Sequence, residues 1–263
     1  MKNINSSYFK EAIFGASVEK ENYIDLLGGY LIMRKLLILS AATALFSAGV
    51  ARSDDNNSYR SACGIDATTV QNIQKQLATV VQSGNGGLFK PNLMWSAIVD
   101  RQGVLCSVIK TGDAWPGSRS IAIAKASAAN DFSNANFALS TAMLYGPTQP
   151  GGSLYGLNNS NPFNPQFQTQ GTGLGYVPGG IITFGGGVAL YKAGHVIGGL
   201  GVSGDTSCAD HAIAYKMRKA AGLDGAPNSD NIQYPVNPPA PANPQPAVTG
   251  FQQPRCLDTD IIP

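Results

Sequence analysis

The sequence predicts an α+β fold: a central antiparallel sheet built from two β-hairpins, with helices packed on one face and a long Gly/Pro-rich loop insertion. Three observations predict it. Two pairs of short β-rich runs are each joined by a four-residue turn, which makes both pairs antiparallel. Apolar residues recur at three- and four-residue spacing in the segments around those pairs. The resulting order is helix, hairpin, two helices, loop, hairpin, helix.

Each element has a local reason. Asp66 can cap a helix carrying Val70, Ile73, Leu77 and Val81, which Ser83-Gly84-Asn85-Gly86-Gly87 ends. Leu93 to Val99 reads as a strand, Asp100-Arg101-Gln102-Gly103 as a turn, and Val104 to Ile109 as the second strand. Ser118 starts an Ala-rich helix, Ser120 to Ala129, and a second helical stretch is expected from Ala135 to Tyr145. No charged residue occurs from Phe132 to Tyr191, and Gly146 to Gly187 holds 12 Gly and 5 Pro. That middle stretch is read as a loop folded over the surface, with Leu154, Tyr155, Phe163, Phe167, Leu174 and Tyr176 available as anchors. Gly187 to Tyr191 then pairs with Val196 to Val202 across Lys192-Ala193-Gly194-His195. A last helix runs from Cys208 to Ala221, with Ser207 and Asp210 at capping-box spacing.

The ends of the chain are of another kind. Met33-Arg34-Lys35 opens an apolar run that closes on Ser47-Ala48-Gly49-Val50-Ala51, the order of a signal peptide; a buried core helix is the plainer alternative. The expected organisation is an upstream extension over 1–32, a signal peptide over 33–51, an α+β domain over 52–223 and a Pro-rich tail over 224–263. Cleavage near Ala51 would deliver a periplasmic or secreted protein. Beyond Ala51 the chain has 13 Lys and Arg and 12 acidic residues, all Asp. That balance offers no basic face for nucleic acid, and no second apolar run is long enough for a membrane helix. All four cysteines, Cys63, Cys106, Cys208 and Cys256, lie after the cut. An even count in an exported chain reads as two disulfides, with three connectivities open and free buried thiols as the alternative. A bridge from Cys256 would tie the tail to the body.

Few motifs carry chemistry. Gly199-Leu200-Gly201-Val202-Ser203-Gly204 matches G-x-G-x-x-G, with Asp224 about twenty residues on. A dinucleotide site would need a parallel strand after the next helix, and the Pro-rich tail stands there instead. The glycines still allow close approach of a ligand or another strand. The amides of Gly204, Asp205 and Thr206 at a helix start can stabilise a carboxylate. His195 falls in a turn, where exposure is expected. His211 follows Cys208 by three residues, so both could face one metal. Zinc would need two more ligands, whereas haem iron needs only one imidazole. No C-x-x-C-H is present for covalent haem attachment. No G-x-S-x-G, H-E-x-x-H or glutamate base is present after Ala51, so an enzyme is the weakest class.

Three segments taken in order resemble the GlcG-like family, also called the HbpS-like or haem-degrading-domain family. They are Ala97-Ile98-Val99-Asp100-Arg101-Gln102-Gly103, Ser118-Arg119-Ser120-Ile121-Ala122-Ile123-Ala124-Lys125-Ala126, and Gly194-His195-Val196-Ile197-Gly198-Gly199-Leu200-Gly201-Val202-Ser203-Gly204-Asp205, followed by Asp210. The resemblance spans about residues 66 to 222. It implies an α+β domain with an antiparallel sheet, self-association into a homo-oligomer, and non-covalent binding of haem or a related tetrapyrrole. Two departures stand out: the Gly/Pro loop around 146–180, and His211 where many members have an acidic residue.

On this reading a pocket lies between sheet and helices. His211 is the favoured axial ligand, Met143 and Tyr145 are weaker candidates, and Arg119 or Lys125 pairs with propionates. Gly204 and Asp205 supply amides at the helix start. The alternatives are an oligomeric structural, interaction or sensor module with no haem, and a haem-degrading or oxidoreductase accessory protein.

Overall fold

A computed structural model describes residues 61–164, 172–235 and 250–263. The extension over 1–32, the signal peptide over 33–51 and the cut near Ala51 lie outside the described residues, as does Phe167.

The described chain forms helix α1 (Ala67–Val80), strands β1 (Trp95–Asp100) and β2 (Leu105–Lys110), helix α2 (Ser118–Asp131), a single turn α3 (Tyr145–Thr148), strands β3 (Gly187–Lys192) and β4 (His195–Ser203), and helix α4 (Ser207–Ala220). The four strands make one antiparallel sheet in the order β2-β1-β4-β3. The α+β class and the sheet of two hairpins are those expected. Each hairpin is closed by local chemistry. Asp100 accepts from the amides of Gln102 and Val104 at 2.9 and 3.0 Å, and Gly103 takes a positive φ of 81°. Ala193 and Gly194, at φ 51° and 79°, form a tight two-residue turn whose twist suits the β3–β4 pair.

Helices cover both faces, where one was expected. Trp95, Ala97 and Val99 of β1 pack with Ala122, Ile123 and Ala126 of α2. Met94 and Ile98, pointing the other way, pack with Ile73 and Leu77 of α1 and Ile213 and Met217 of α4. The physical reason is in β1, which is buried along its whole length. Apolar side chains on both sides of a strand need two covers.

Small residues set the spacing of α2. A Cβ on Gly201 would strike the carbonyl oxygen of Ala122, and one on Gly199 that of Ala126. Bare backbone in β4 therefore lets an Ala-rich helix lie almost against the sheet. This accounts for the G-x-G-x-x-G pattern as packing.

The helix expected over 135–145 is a series of turns instead. Polar side chains take its backbone groups. Asn134 accepts from the amides of Asn136 and Phe137 at 2.8 and 3.0 Å, and Ser133 from that of Leu139 at 3.1 Å. Asn228 clamps Ala138 from the tail, accepting from its amide and donating to its carbonyl. The cap of α4 also lies one residue earlier than expected: Thr206, not Ser207, accepts from the amide of Ala209 at 3.2 Å. In the Gly/Pro loop, Gly175 and Tyr176 pair with the backbone of Leu105 at the start of β2. Phe163 packs against the α2 cluster, whereas Tyr155 and Leu174 are exposed and do not anchor.

Two disulfides form, Cys63–Cys106 and Cys208–Cys256. The second ties the tail to α4. Residues 228–235 and 250–263 pack on the body, with Asp230, Ile232, Gln253 and Asp260 buried. No helix among the described residues is long and apolar enough to cross a membrane.

The close seat of α2 gives a direct test. Gly201→Ala should lower unfolding free energy by about 3 kcal/mol, since the added methyl has nowhere to go. Gly84→Ala, with nothing within 4 Å of the new methyl, should change it by under about 0.5 kcal/mol. Urea midpoints of the two variants read the difference, and equal midpoints would rule out the proposed contact.

Candidate functional site

The start of α4 gathers most of the polar residues singled out in the sequence. Two of the three amides expected there to hold a carboxylate are already served by the protein's own aspartates. The amide of Thr206 donates to Asp205 at 2.7 Å, and the amide of Asp205 donates to Asp210 at 3.0 Å. Asp205 also accepts from Leu88 and Phe89 amides and from Asn92 Nδ2, at 2.7, 3.1 and 3.0 Å. It thereby fastens the 86–92 loop to α4. Gly204, with φ 156°, turns against the backbone of Leu93.

Lys125 and Asp210 meet across the sheet. Lys125 Nζ lies 2.7 Å from Asp210 Oδ2 and donates to the Val202 carbonyl at 3.1 Å. Its charge also sits 4.9 Å from the centre of the Phe184 ring. Both side chains are sealed from water. Burial pulls Lys125 below the usual lysine range, against the attraction of Asp210. Burial also pushes Asp210 up to about 6, against the pull of Lys125. Gly186 makes room for the pair, because a Cβ there would meet Lys125 Nζ at 2.7 Å and Asp210 Cβ at 3.0 Å.

His211, the next residue, points elsewhere. It is fully buried, and Nε2 lies 3.0 Å from the amide nitrogen of Ile232 and 3.2 Å from Asn231 Oδ1. Its Nδ1 has no hydrogen-bond partner among the described residues. The ring stacks beside Tyr215, centroids 5.9 Å apart. Burial lowers its pKa to about 4, so the imidazole is neutral at physiological pH. The segment that covers it is itself anchored. Asp230 forms a buried bidentate pair with Arg218, at 2.5 and 2.6 Å, and Asn231 donates to the Pro263 carbonyl at 3.0 Å.

The remaining candidates have settings of their own. Arg119 is buried and donates to the Thr172 carbonyl of the Gly/Pro loop at 2.8 Å. Met143 is fully buried, Tyr145 is half-buried at the start of α3, and His195 is exposed as expected. A groove of about 790 Å³ runs between α1 and β2, lined by Thr68, Gln71, Asn72, Lys75, Ser107 and Ile109. Two smaller ones flank the Cys63–Cys106 bridge. None of the three is lined by a residue expected to bind the cofactor. The sequence reading missed Asp230, Asn231 and Ile232, because nothing local marks a contact made across the fold. The Lys125–Asp210 pair did leave a sign: a single lysine amid Ile123, Ala124, Ala126 and Ala128 needs a buried partner.

Residues 91–219 match the family model described as haem degrading protein HbpS-like. A curated relative, the corrinoid adenosyltransferase PduO of Citrobacter freundii, is 33% identical over 123 residues, covering 45% of this chain and 30% of that protein. The chain thus spans less than a third of the curated relative it matches. Among solved structures, it is similar to Klebsiella pneumoniae protein ORFY of the DUF336 family, at 25% identity and a TM-score of 0.47, covering 60% of this chain and 90% of that one. It is also similar to PduOC, solved as a heme complex, at 26% identity and a TM-score of 0.46, covering 59% and 94%.

Asp210 and His211 bias stability in opposite directions. The Asp210 contribution is full below its ordinary 3.8 and is lost as pH rises through about 6. The His211 contribution is full above its ordinary 6.5 and is lost as pH falls through about 4. Over most of the interval between them the two nearly cancel. His211→Gln removes one side of that balance. The stability advantage of the unmodified chain over the variant should shrink by about 3 kcal/mol between pH 7 and pH 4. Urea titrations at several pH values measure it, and an advantage constant with pH would mean that His211 is not held neutral.

Proposed function

We propose, from the match of residues 91–219 to the HbpS-like family model, that the chain is an exported protein that binds haem or a related tetrapyrrole non-covalently, with His211 as iron ligand. One observation carries the ligand assignment. His211 lies within the matched segment, is fully buried and is held neutral, the form of imidazole that ligates iron. Export is supported by the cysteines. All four are paired, which is the chemistry of an oxidising compartment. Self-association belongs to the same proposal, and light scattering measures it.

As they stand, the residues do not fit a haem. Nε2 of His211 is covered by Asn231 and Ile232, and Lys125 is already paired with Asp210. A macrocycle needs an open cleft beside its ligand. Binding at His211 therefore requires the tail segment over it to withdraw. The same closed arrangement favours a second reading, an interaction or sensor module with no cofactor, in which the buried polar groups only hold the fold.

Adding hemin to the purified chain, both oxidised and after reduction, separates these readings. The tetrapyrrole reading expects a shifted Soret band in at least one state, reduced by about tenfold or more in affinity by His211→Ala. No shift in either state sinks tetrapyrrole binding. A shift unchanged in the variant sinks the assignment of His211.

A further inference from the structure

The two disulfides differ in their surroundings. Cys63–Cys106 joins the segment before α1 to strand β2, and the Cys63 sulfur accepts from the Ile65 amide at 3.3 Å. Cys208 is the second residue of α4, and its sulfur accepts from the Cys256 amide at 3.1 Å and from Gln253 Nε2 at 3.5 Å. A thiolate formed there is stabilised by the helix start and by those two donors. Its partner Cys256 is half-buried, while Cys208 is fully buried. Cys256 Sγ has polar neighbours of its own, Ser207 Oγ at 3.3 Å and Gln253 Nε2 at 3.8 Å, so exposure and the helix start are what set the two sulfurs apart. An incoming thiolate thus attacks at the half-buried Cys256, and Cys208 leaves from the helix start.

Cys256 also belongs to the buttress of the segment that covers His211. Gln253 pairs through its backbone amide with the Gln233 carbonyl at 2.9 Å. Tyr234 donates to Ile261 at 3.4 Å, and Asn231 to Pro263 at 3.0 Å. The Cys208–Cys256 bond is the one covalent link from residues 250–263 to α4 among the described residues.

We propose that Cys208–Cys256 is a redox latch: its reduction loosens residues 250–263, and with them the Asn231–Ile232 cover, so that the His211 imidazole becomes accessible. As a gate on haem uptake this rests on the tetrapyrrole reading; the opening itself does not. The reductant is a dithiol. One of its thiolates bonds to the Cys256 sulfur, the Cys208–Cys256 bond breaks, and Cys208 leaves with the electron pair and takes a proton. The second thiol, deprotonated, attacks the mixed disulfide, and Cys256 leaves and takes a proton. Two electrons reach the chain and the dithiol ends as a disulfide.

The full chain tests this with diethylpyrocarbonate, which modifies accessible neutral imidazole, read by peptide mass spectrometry. The exposed His195 serves as internal standard, since the chain has only two histidines. In the oxidised chain His211 should be protected. With dithiothreitol titrated until Cys208 and Cys256 are alkylated but Cys63 and Cys106 are not, its modification should rise by about tenfold or more while circular dichroism is retained. Cys256→Ser should give the same rise without reductant. The latch is overturned if His211 stays protected in the reduced chain, if the two disulfides open at the same reductant concentration, or if the rise comes only with loss of the dichroism signal. Hemin keeps the two readings apart. A reactive His211 with no Soret shift ends the tetrapyrrole reading and leaves the latch standing. A Soret shift that is the same in the oxidised chain, with His211 still protected, ends the latch and leaves tetrapyrrole binding at another ligand.

Discussion

The structure depends on how closely α2 lies on β4. Gly199 and Gly201 present bare backbone to the carbonyls of Ala126 and Ala122. Only glycine permits this, because any Cβ would occupy the space of those oxygens. The approach brings Lys125 near the sheet, past Gly186, to Asp210 on the other side. With a larger residue in β4 the helix would stand off and the ion pair could not close. Packing of small residues on one face thus positions the polar start of α4 on the other.

Aspartate does the fastening around that centre. Asp100 accepts from the amides of Gly64, Gln102 and Val104 and holds the first hairpin to the chain entering α1. Asp205 ties the 86–92 loop to α4. Asp260 accepts from the amides of Gly87 and Leu257, at 3.0 and 2.6 Å, and so binds the tail to that same loop. A short carboxylate reaches nearby amides with one fewer rotatable bond than glutamate, which suits it to organising loops. The absence of glutamate after Ala51 fits a chain in which Asp66, Asp100, Asp205, Asp210 and Asp260 all accept from backbone amides.

How much of this was legible in the sequence follows from the range of each contact. Both hairpins could be read from strand periodicity and turn residues, and Asp66 caps α1 by accepting from the Thr69 amide at 2.8 Å, as its position implied. The covering of both faces was also written in β1, in the run Trp95-Ser96-Ala97-Ile98-Val99, but a strand reading by itself does not say what lies opposite. The turns over 135–145 were hidden because Asn228, far along the chain, supplies part of the alternative bonding. The site was least legible. His211 and Lys125 stood out as residue types, yet their partners Asp230, Asn231 and Asp210 are set by tertiary distance, and no spacing rule encodes that.

The Lys125–Asp210 pair bears on how the fold is assembled. Its members are 85 residues apart in sequence and belong to layers on opposite faces of the sheet. A partly built domain with only one layer docked would hold a charge in an apolar setting with nothing to answer it, a state several kcal/mol above either end. Such half-formed states are therefore thinly populated, and the layers close together or not at all. The pair acts less as a source of stability than as a check on completeness, rewarding the chain only once both halves have arrived.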